Sequence, residues 1–163
     1  MVWNKLIMAK HRFIYWQFFN SQFLTRDHLS RFISIISSLC PVCDLALESH
    51  SHLFLDCLFS RRLFGEISSW LGIFKWPSSQ VELQEWCFSA TRDLKHQILN
   101  VFYAAALYFI WKNRNNCIFE LACYNISSVS SEIRKVVKCR ILGLGLHRVS
   151  KMDSYLINIV EGW

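Results

Sequence analysis

The chain has 163 residues, of which 53% are hydrophobic, 15% aromatic and 18% charged, and this length is typical of one domain. The apolar content excludes extensive disorder, and the longest uncharged run, 96–111, is shorter than the roughly 20 residues that a membrane span needs. Eighteen Lys and Arg against 12 Asp and Glu give a net charge of +6, which favours polyanionic partners.

Two short helices are predicted ahead of the first cysteine. Residues 10–19 form an aromatic-rich helix, and Thr25 is the expected N-cap of a second helix that runs to Ile33. Phe13, Trp16 and Phe54 are of a residue type that is more often part of the core than a platform for base stacking.

The residues that carry recognisable chemistry lie between positions 40 and 57. Cys40-Pro-Val-Cys43 is followed by eight residues, His52, four residues and Cys57, a C-x2-C-x8-H-x4-C arrangement. Three thiolates and one imidazole form a closed tetrahedral zinc shell with ligands at about 2.0–2.3 Å, which leaves no open position for a catalytic water. The pattern therefore predicts one structural zinc ion.

His50 is an alternative fourth ligand, because composition does not separate it from His52. The H-x4-C spacing known from zinc knuckles favours His52, which would leave His50 exposed beside the site. In a regular helix five residues turn Cys57 about 140° away from His52, so we expect the helix to start after His52, or to be distorted there. The positive end of this helix, with Arg61 and Arg62, is expected to favour the Cys57 thiolate.

The other four cysteines lie singly in the sequence, without a second C-x2-C pair. They are Cys87, Cys117, Cys123 and Cys139. Each is interpreted as a small buried hydrophobic residue. Because basic residues interrupt the apolar runs that a secretory signal would need, we expect a reducing compartment and therefore metal binding rather than disulfides.

A third helix is predicted over residues 55–71, with Gly72 as its stop. The side chains predicted to face the core are Leu58, Phe64 and Ile67. Pro77 and two serines mark a linker, and Ser79-Gln-Val-Glu82 is a capping box, which predicts a fourth helix to residue 88.

After Asp93 a long helix is predicted that is apolar on both sides and therefore central to the core. A last, amphipathic helix covers 129–144, with Arg134, Lys135 and Lys138 on its outer face, and residues 155–160 fit a short strand or helix. We predict a small all-α fold with a Cys3His zinc site in its N-terminal half. It divides into a zinc-binding module, 1–76, and a helical region, 77–163, packed as one globular unit.

A series of segments shares its order and spacing with one family. The segments are Val2-Trp-Asn-Lys-Leu6, Lys10-His-Arg-Phe-Ile-Tyr-Trp16, Leu24-Thr-Arg-Asp-His-Leu-Ser30, Cys40-Pro-Val-Cys43, Glu48-Ser49, His52-Leu-Phe54, Cys57 and Phe59-Ser-Arg-Arg-Leu63. They resemble the zinc-binding domain that follows the reverse transcriptase in plant non-LTR retrotransposon polyproteins. Tyr108-Phe-Ile-Trp-Lys-Asn-Arg-Asn-Asn116 is similar to the segment between this module and any RNase H domain. The resemblance implies His52 as the ligand and a role in engaging the RNA or target DNA of a reverse transcriptase.

We expect no enzymatic activity and no small-molecule substrate. Polymerases and nucleases cluster carboxylates around two Mg²⁺ ions, whereas the twelve acids here are scattered and include no Asp-Asp pair. The favoured function is RNA or DNA binding, with Trp16 or Phe59 available for base stacking. The residues predicted to contact phosphates are Lys10, Arg12, Arg26, Arg31, Arg61 and Arg62.

Two alternatives to nucleic-acid binding stay open at this point. One is a zinc-stapled structural or protein-interaction domain that docks on the reverse transcriptase or RNase H domain of a parent polyprotein. The other is a fragment of a decayed element without a selected role. No membrane partner is expected, and the absence of a dense Lys/Arg cluster leaves nuclear or other intracellular placement open.

Overall fold

A computed structural model of the chain describes residues 4–72, 75–89 and 94–143, together with 158, 159 and 162. Within these ranges the chain forms α1 (Ala9–Phe19), α2 (Arg26–Leu29), a π-helical turn (His52–Asp56), α3 (Leu58–Leu71), α4 (Gln80–Ser89), α5 (Leu94–Phe119) and α6 (Ile126–Gly143). The described residues contain no β-strand and only one isolated antiparallel bridge, between Leu39 and Leu47. The predicted all-α fold is therefore confirmed.

Helix α5 is the centre of the molecule. Its residues 98–107 are buried without interruption, which explains why this stretch of sequence has no polar face. Helices α1 and α6 pack along it, and α3 packs against α5 and α6. Among the described helices, none combines the length and apolar content that a bilayer crossing requires.

Helix α1 packs its aromatic side chains against α5. Ile14, Tyr15 and Phe18 are buried, and the Tyr15 hydroxyl donates a hydrogen bond of 2.7 Å to Oδ1 of the buried Asn100. This bond satisfies a hydroxyl that would otherwise be costly to bury. Phe13 is an exception to the tendency of aromatic residues to be buried, since its side chain is 55% exposed.

Acidification is expected to weaken the fold through His11, which is buried on α1 against the ring of Tyr108 with 4.6 Å between ring centroids. Burial, and secondarily the charge of Lys10, lowers the pKa of His11 from 6.5 to about 4. The unfolded chain therefore takes up a proton more readily, so stability is intact above about pH 6.5 and is lost as the pH falls towards 4. Between pH 7 and pH 5 the free energy of unfolding should drop by about 2 kcal/mol from this residue alone.

Urea unfolding of the zinc-loaded chain and of His11→Phe at both pH values measures this loss. Protons also compete with zinc for its ligands, but that effect is common to both proteins and cancels in their difference. An equal drop in both proteins would show that His11 does not contribute.

Helix α2 is shorter than predicted, ending at Leu29 instead of Ile33. The residues beyond it, including Phe32 and Ile33, are exposed and have no core to pack against, and helices of this length depend on tertiary packing. Its cap is also unexpected: the Thr25 hydroxyl donates to Asp27 Oδ1 at 2.5 Å, while the Glu48 carboxylate accepts the Arg26 N–H at 2.7 Å.

The later helices follow the predicted order with different details. Helix α3 begins at Leu58, not residue 55, and Leu58 is exposed rather than inward-facing, whereas Phe64 and Ile67 are buried as predicted. At α4 the Ser79 hydroxyl accepts the Glu82 N–H at 3.1 Å, and the Glu82 carboxylate accepts the Ser78 N–H at 2.8 Å. The Glu82 carboxylate therefore accepts the N–H of Ser78, whereas the capping-box pattern predicts that it accepts the N–H of Ser79.

On α6, one predicted solvent-facing cation packs inward. The Arg134 guanidinium lies 4.0 Å from the centroid of the Trp70 ring on α3, so it forms a cation–π contact instead of a solvated charge. Lys135 is exposed as predicted. Leu144 and nearly all of the 155–160 segment lie outside the described residues.

The interpretation of the single cysteines as buried apolar residues is wrong for three of them. Cys117 and Cys123 form a disulfide across the connection between α5 and α6, and Cys139 is exposed. The prediction failed because the six-residue spacing carries no signal by itself. The pair meets only because α5 ends at Phe119 and the chain turns at Leu121, which has a φ of 50°. The Cys87 side chain lies outside the described part of the chain.

Candidate metal centre

A tight backbone turn carries the first two cysteines. The Leu39–Leu47 bridge closes it, and the Cys40 N–H donates to Ala46 O at 2.7 Å. The Asp44 N–H donates to Cys40 O at 2.8 Å, and Asp44 adopts a φ of 58°, a left-handed conformation that Asp tolerates better than most residues. This turn presents the thiols of Cys40 and Cys43 towards one point.

The other two donors come from the entry to α3. The Cys57 N–H donates to His52 O at 2.6 Å, which closes the π-helical turn. Residues five apart are about one turn apart in a π-helix, so His52 and Cys57 fall on the same side. Cys57 then occupies the N-cap position of α3. The expected distortion between His52 and Cys57 is therefore present, in the form of a π-helical turn.

These two segments bring four donor side chains together. The ligand atoms of Cys40, Cys43, His52 and Cys57 all lie within 4.8 Å of one another, and Cys43 Sγ lies 3.4 Å from His52 Nε2. Tetrahedral zinc with these ligands requires donor-to-donor distances of about 3.5–3.8 Å. The donor set and its spacing fit one zinc ion, with Cys40 and Cys57 fully buried and the other two partly exposed.

The electrostatics of the cluster distinguish its two buried thiols. A hydrogen bond with Cys57, together with burial, raises the pKa of Cys40. The same hydrogen bond lowers the pKa of Cys57, and the backbone N–H groups of Phe59 and Ser60 in the first turn of α3 lower it further. The helix end thus favours the thiolate that a zinc ligand must become.

His50 does not belong to the metal cluster. Its ring packs among Phe18, Phe23 and Phe54, with centroid distances of 4.7, 5.8 and 5.3 Å. Burial in this aromatic setting lowers the pKa of His50. The expectation of an exposed His50 is therefore wrong, because its ring lies among these three aromatic side chains.

We call residues 39–47, which carry Cys40 and Cys43, the zinc-bearing turn. A buried ion pair that the sequence did not reveal joins Glu48, directly after this turn, to α5. Arg114 donates from Nε to Glu48 Oε1 at 2.7 Å and from Nη2 to Glu48 Oε2 at 2.8 Å. The two side chains are 4% and 0% exposed. Arg114 also donates to Leu24 O at 3.1 Å, and its guanidinium lies 4.8 Å from the Trp111 ring centroid. Glu48 and Arg114 both lie in segments that resemble the family, and this resemblance is the only feature of the sequence that could have indicated the pair.

The predicted phosphate-contacting residues differ in their surroundings. Arg26 is engaged internally, donating from Nη1 to Leu39 O at 2.6 Å, and the Arg12 side chain is half-buried. The Lys10 Nζ lies 4.9 Å from the Tyr108 ring centroid at the surface. Arg31, Arg61 and Arg62 are exposed.

The two aromatic side chains predicted to stack on bases, Trp16 and Phe59, are both half-buried. The Trp16 ring stacks on the exposed Phe13 at a centroid distance of 6.3 Å. Phe59 packs against the hydrophobic core from its edge. Neither ring is a freely accessible platform.

Comparison with known protein families identifies a match for the N-terminal part of the chain. Residues 1–64 match the model of a family described as zinc-binding in reverse transcriptase. No curated protein and no solved structure matches the chain. The matched range contains all four clustered ligands, so the family and the geometry agree on one zinc ion.

Proposed function

We propose that this chain, whose residues 1–64 match the family described as zinc-binding in reverse transcriptase, is a non-catalytic module that contacts RNA or DNA. The zinc ion would have a structural role, since four protein donors fill a tetrahedral shell and leave no position for a substrate or water. The net charge of +6 supports a polyanionic partner.

The observation that carries the proposal is the position of Arg61 and Arg62. They lie in the first turns of α3, four and five residues after Cys57, and the Arg61 N–H donates to Cys57 O at 2.9 Å. Both side chains are exposed, and neither forms an ion pair with a carboxylate in the described part of the chain. Zinc binding would therefore fix two available guanidinium groups on one rigid helix start, where they suit phosphate oxygens.

Lys10 and Arg31 extend this set, because both are exposed. Arg26 contributes indirectly: its guanidinium holds Leu39 O and so supports the turn that bears the first two cysteines. Arg12 is less available than the others because its Nε is buried. We therefore assign the phosphate contacts to Lys10, Arg31, Arg61 and Arg62.

The salt dependence of binding tests this assignment. The zinc-loaded chain should bind a mixed-sequence single-stranded RNA or DNA pool at about 50 mM salt, with log K falling linearly against log salt. Replacing Arg61 and Arg62 by Ala should flatten the slope by about 1.4, since each lost contact to a single strand contributes about 0.7. Fluorescence anisotropy over a range of salt concentrations measures both quantities.

A Lys5→Ala, Lys75→Ala double variant is the matched control, because it removes the same charge from two exposed residues away from the start of α3. This control should keep the wild-type slope. Undetectable binding at about 50 mM salt, or equal slopes for the two double variants, would contradict the proposal.

A second candidate function rests on exposed apolar side chains near the zinc-bearing turn. The large apolar residues exposed in this region are Leu24, Phe32, Ile33, Ile36, Leu39, Leu45 and Leu47. Exposed apolar side chains that form a contiguous patch often mark protein interfaces, and in a polyprotein a reverse transcriptase or RNase H domain would be the neighbour. Apolar docking is weakly sensitive to salt, so the same titration separates the two functions.

A further inference from the structure

A cleft of about 600 Å³ lies between α5 and α6, apart from the metal cluster. Its size falls within the roughly 300–1,000 Å³ range of ligand sites. One face of each helix lines it, with side chains spaced three and four residues apart. The residues that form these two walls include Phe109, Lys112 and Asn116 on α5 and Ser128, Ser131 and Lys135 on α6.

Tyr124 lines the same cleft from the connection between the two helices, and its side chain is 54% exposed. Its backbone is held at two points by the buried Asn113, whose Oδ1 accepts the Tyr124 N–H at 2.8 Å and whose Nδ2 donates to Tyr124 O at 3.2 Å. The Cys117–Cys123 disulfide restrains the preceding residue. An exposed ring on a restrained backbone loses little entropy when a ligand stacks on it.

The cleft also carries charge suited to an anion. Lys112 is exposed, and its Nζ lies 5.8 Å from the Phe109 ring centroid. Lys135 Nζ lies 2.9 Å from Glu132 Oε1, so the charge of Lys135 is offset within the cleft. Within the described residues no carboxylate pairs with Lys112, which leaves Lys112 as the available cation in the cleft that Tyr124 also lines.

We propose that this cleft binds one nucleotide of a single-stranded nucleic acid, with the base on Tyr124 and a phosphate at Lys112. The inference rests on the proposed function and extends it to a second contact region, in the half of the chain beyond the family match. Aromatic rings that stack on bases, next to cations that bind phosphates, are the usual elements of single-strand binding sites. A free nucleotide has the same chemistry, so the test includes it.

Photo-crosslinking locates the contact directly. An oligonucleotide of about ten residues containing 5-iodouridine is irradiated with the zinc-loaded full chain, and the modified peptides are identified by mass spectrometry. We expect a crosslink on the peptide that contains Tyr124. Binding with crosslinks confined to residues 10–62 would overturn this inference and leave the proposed function intact, whereas no binding at all would overturn both.

Substitutions in the cleft separate stacking from charge. Tyr124→Ala should weaken binding of a uridine strand about tenfold, while Tyr124→Phe, which keeps the ring, should bind like the wild type. An abasic strand should not distinguish these variants. Lys112→Ala should weaken binding of both strands and flatten the salt slope by about 0.7.

Glu132→Gln provides a gain-of-affinity test, because it releases Lys135 from its ion pair. This variant should bind the strand at least about twofold more tightly and steepen the salt slope. Unchanged affinity of Tyr124→Ala for the uridine strand would overturn the proposal. Binding of uridine monophosphate as tightly as the strand would instead assign the cleft to a free nucleotide and overturn it as a strand site.

Discussion

Removing the zinc ion is expected to unfold the N-terminal half of the chain. Structural zinc contributes an apparent binding free energy of about 10–16 kcal/mol at neutral pH, which matches or exceeds the roughly 5–15 kcal/mol that stabilises a whole domain. Here the four donors connect the turn around Cys40 to the start of α3. Titration with a chelator should therefore abolish part of the helical circular dichroism signal, and added zinc should restore it.

Substitution of single ligands tests the composition of the site. The purified wild type should contain one zinc ion per chain, and His52→Ala should lose it. His50→Phe is the matched control, since it retains an aromatic ring among Phe18, Phe23 and Phe54 and should keep the zinc. Metal quantification that found one zinc ion in His52→Ala and none in His50→Phe would reverse the assignment.

Cobalt substitution gives an independent readout of the same shell. Co²⁺ in a tetrahedral site with three thiolates has intense visible absorption, which octahedral oxygen ligation lacks. We expect this spectrum for the wild type and for His50→Phe, and its loss or change in Cys57→Ser. A wild-type spectrum typical of octahedral coordination would contradict a Cys3His shell.

Breaking the Glu48–Arg114 ion pair is expected to cost about 3–5 kcal/mol of the free energy of unfolding. Arg114→Met leaves the fully buried Glu48 carboxylate without its two guanidinium hydrogen bonds. That carboxylate also accepts the N–H of Arg26 and so caps α2. Losing these hydrogen bonds should therefore destabilise the zinc-bearing turn and α5 together. Urea unfolding in the presence of zinc measures the decrease in the free energy of unfolding.

A double-mutant cycle isolates the pair itself. Glu48→Gln and Arg114→Met together should cost less than the sum of the two single variants, because the double variant buries no unpaired charge. The exposed Glu132–Lys135 pair is the matched control, and its disruption should change stability by less than about 1 kcal/mol. Additive effects at Glu48 and Arg114 would contradict a direct interaction.

The ion pair also bears on how the chain is organised. The family match ends at residue 64, and the sequence predicts a boundary near residue 76. Arg114 nevertheless reaches from α5 to Glu48 and to Leu24 O within the matched region, and Tyr15 of α1 bonds Asn100 of α5. We therefore expect a fragment that ends at residue 76 to be unstable even with zinc, because it lacks the partners of two buried polar groups.

Local patterns in the sequence determined the helices with a strong apolar period and the identity of the metal donors. Residues 94–119 indicate a central helix because every position of its middle part, 98–111, is apolar except Asn100. The C-x2-C pair with its later His and Cys specifies zinc because those donor types at that spacing serve little else. The need for a distortion between His52 and Cys57 also follows from helix geometry alone.

Tertiary structure decided what depends on neighbours distant in sequence. The burial of His50 depends on rings from three segments, the cap of α2 comes from Glu48 instead of Thr25, and the charge of that carboxylate is compensated by Arg114, 66 residues away. Likewise, Cys117 meets Cys123 only through the turn that ends α5. The type of a residue and its spacing from others determine which interactions its side chain is able to form. Which partner it contacts depends on packing, because packing brings together residues whose separation along the chain follows no periodic pattern.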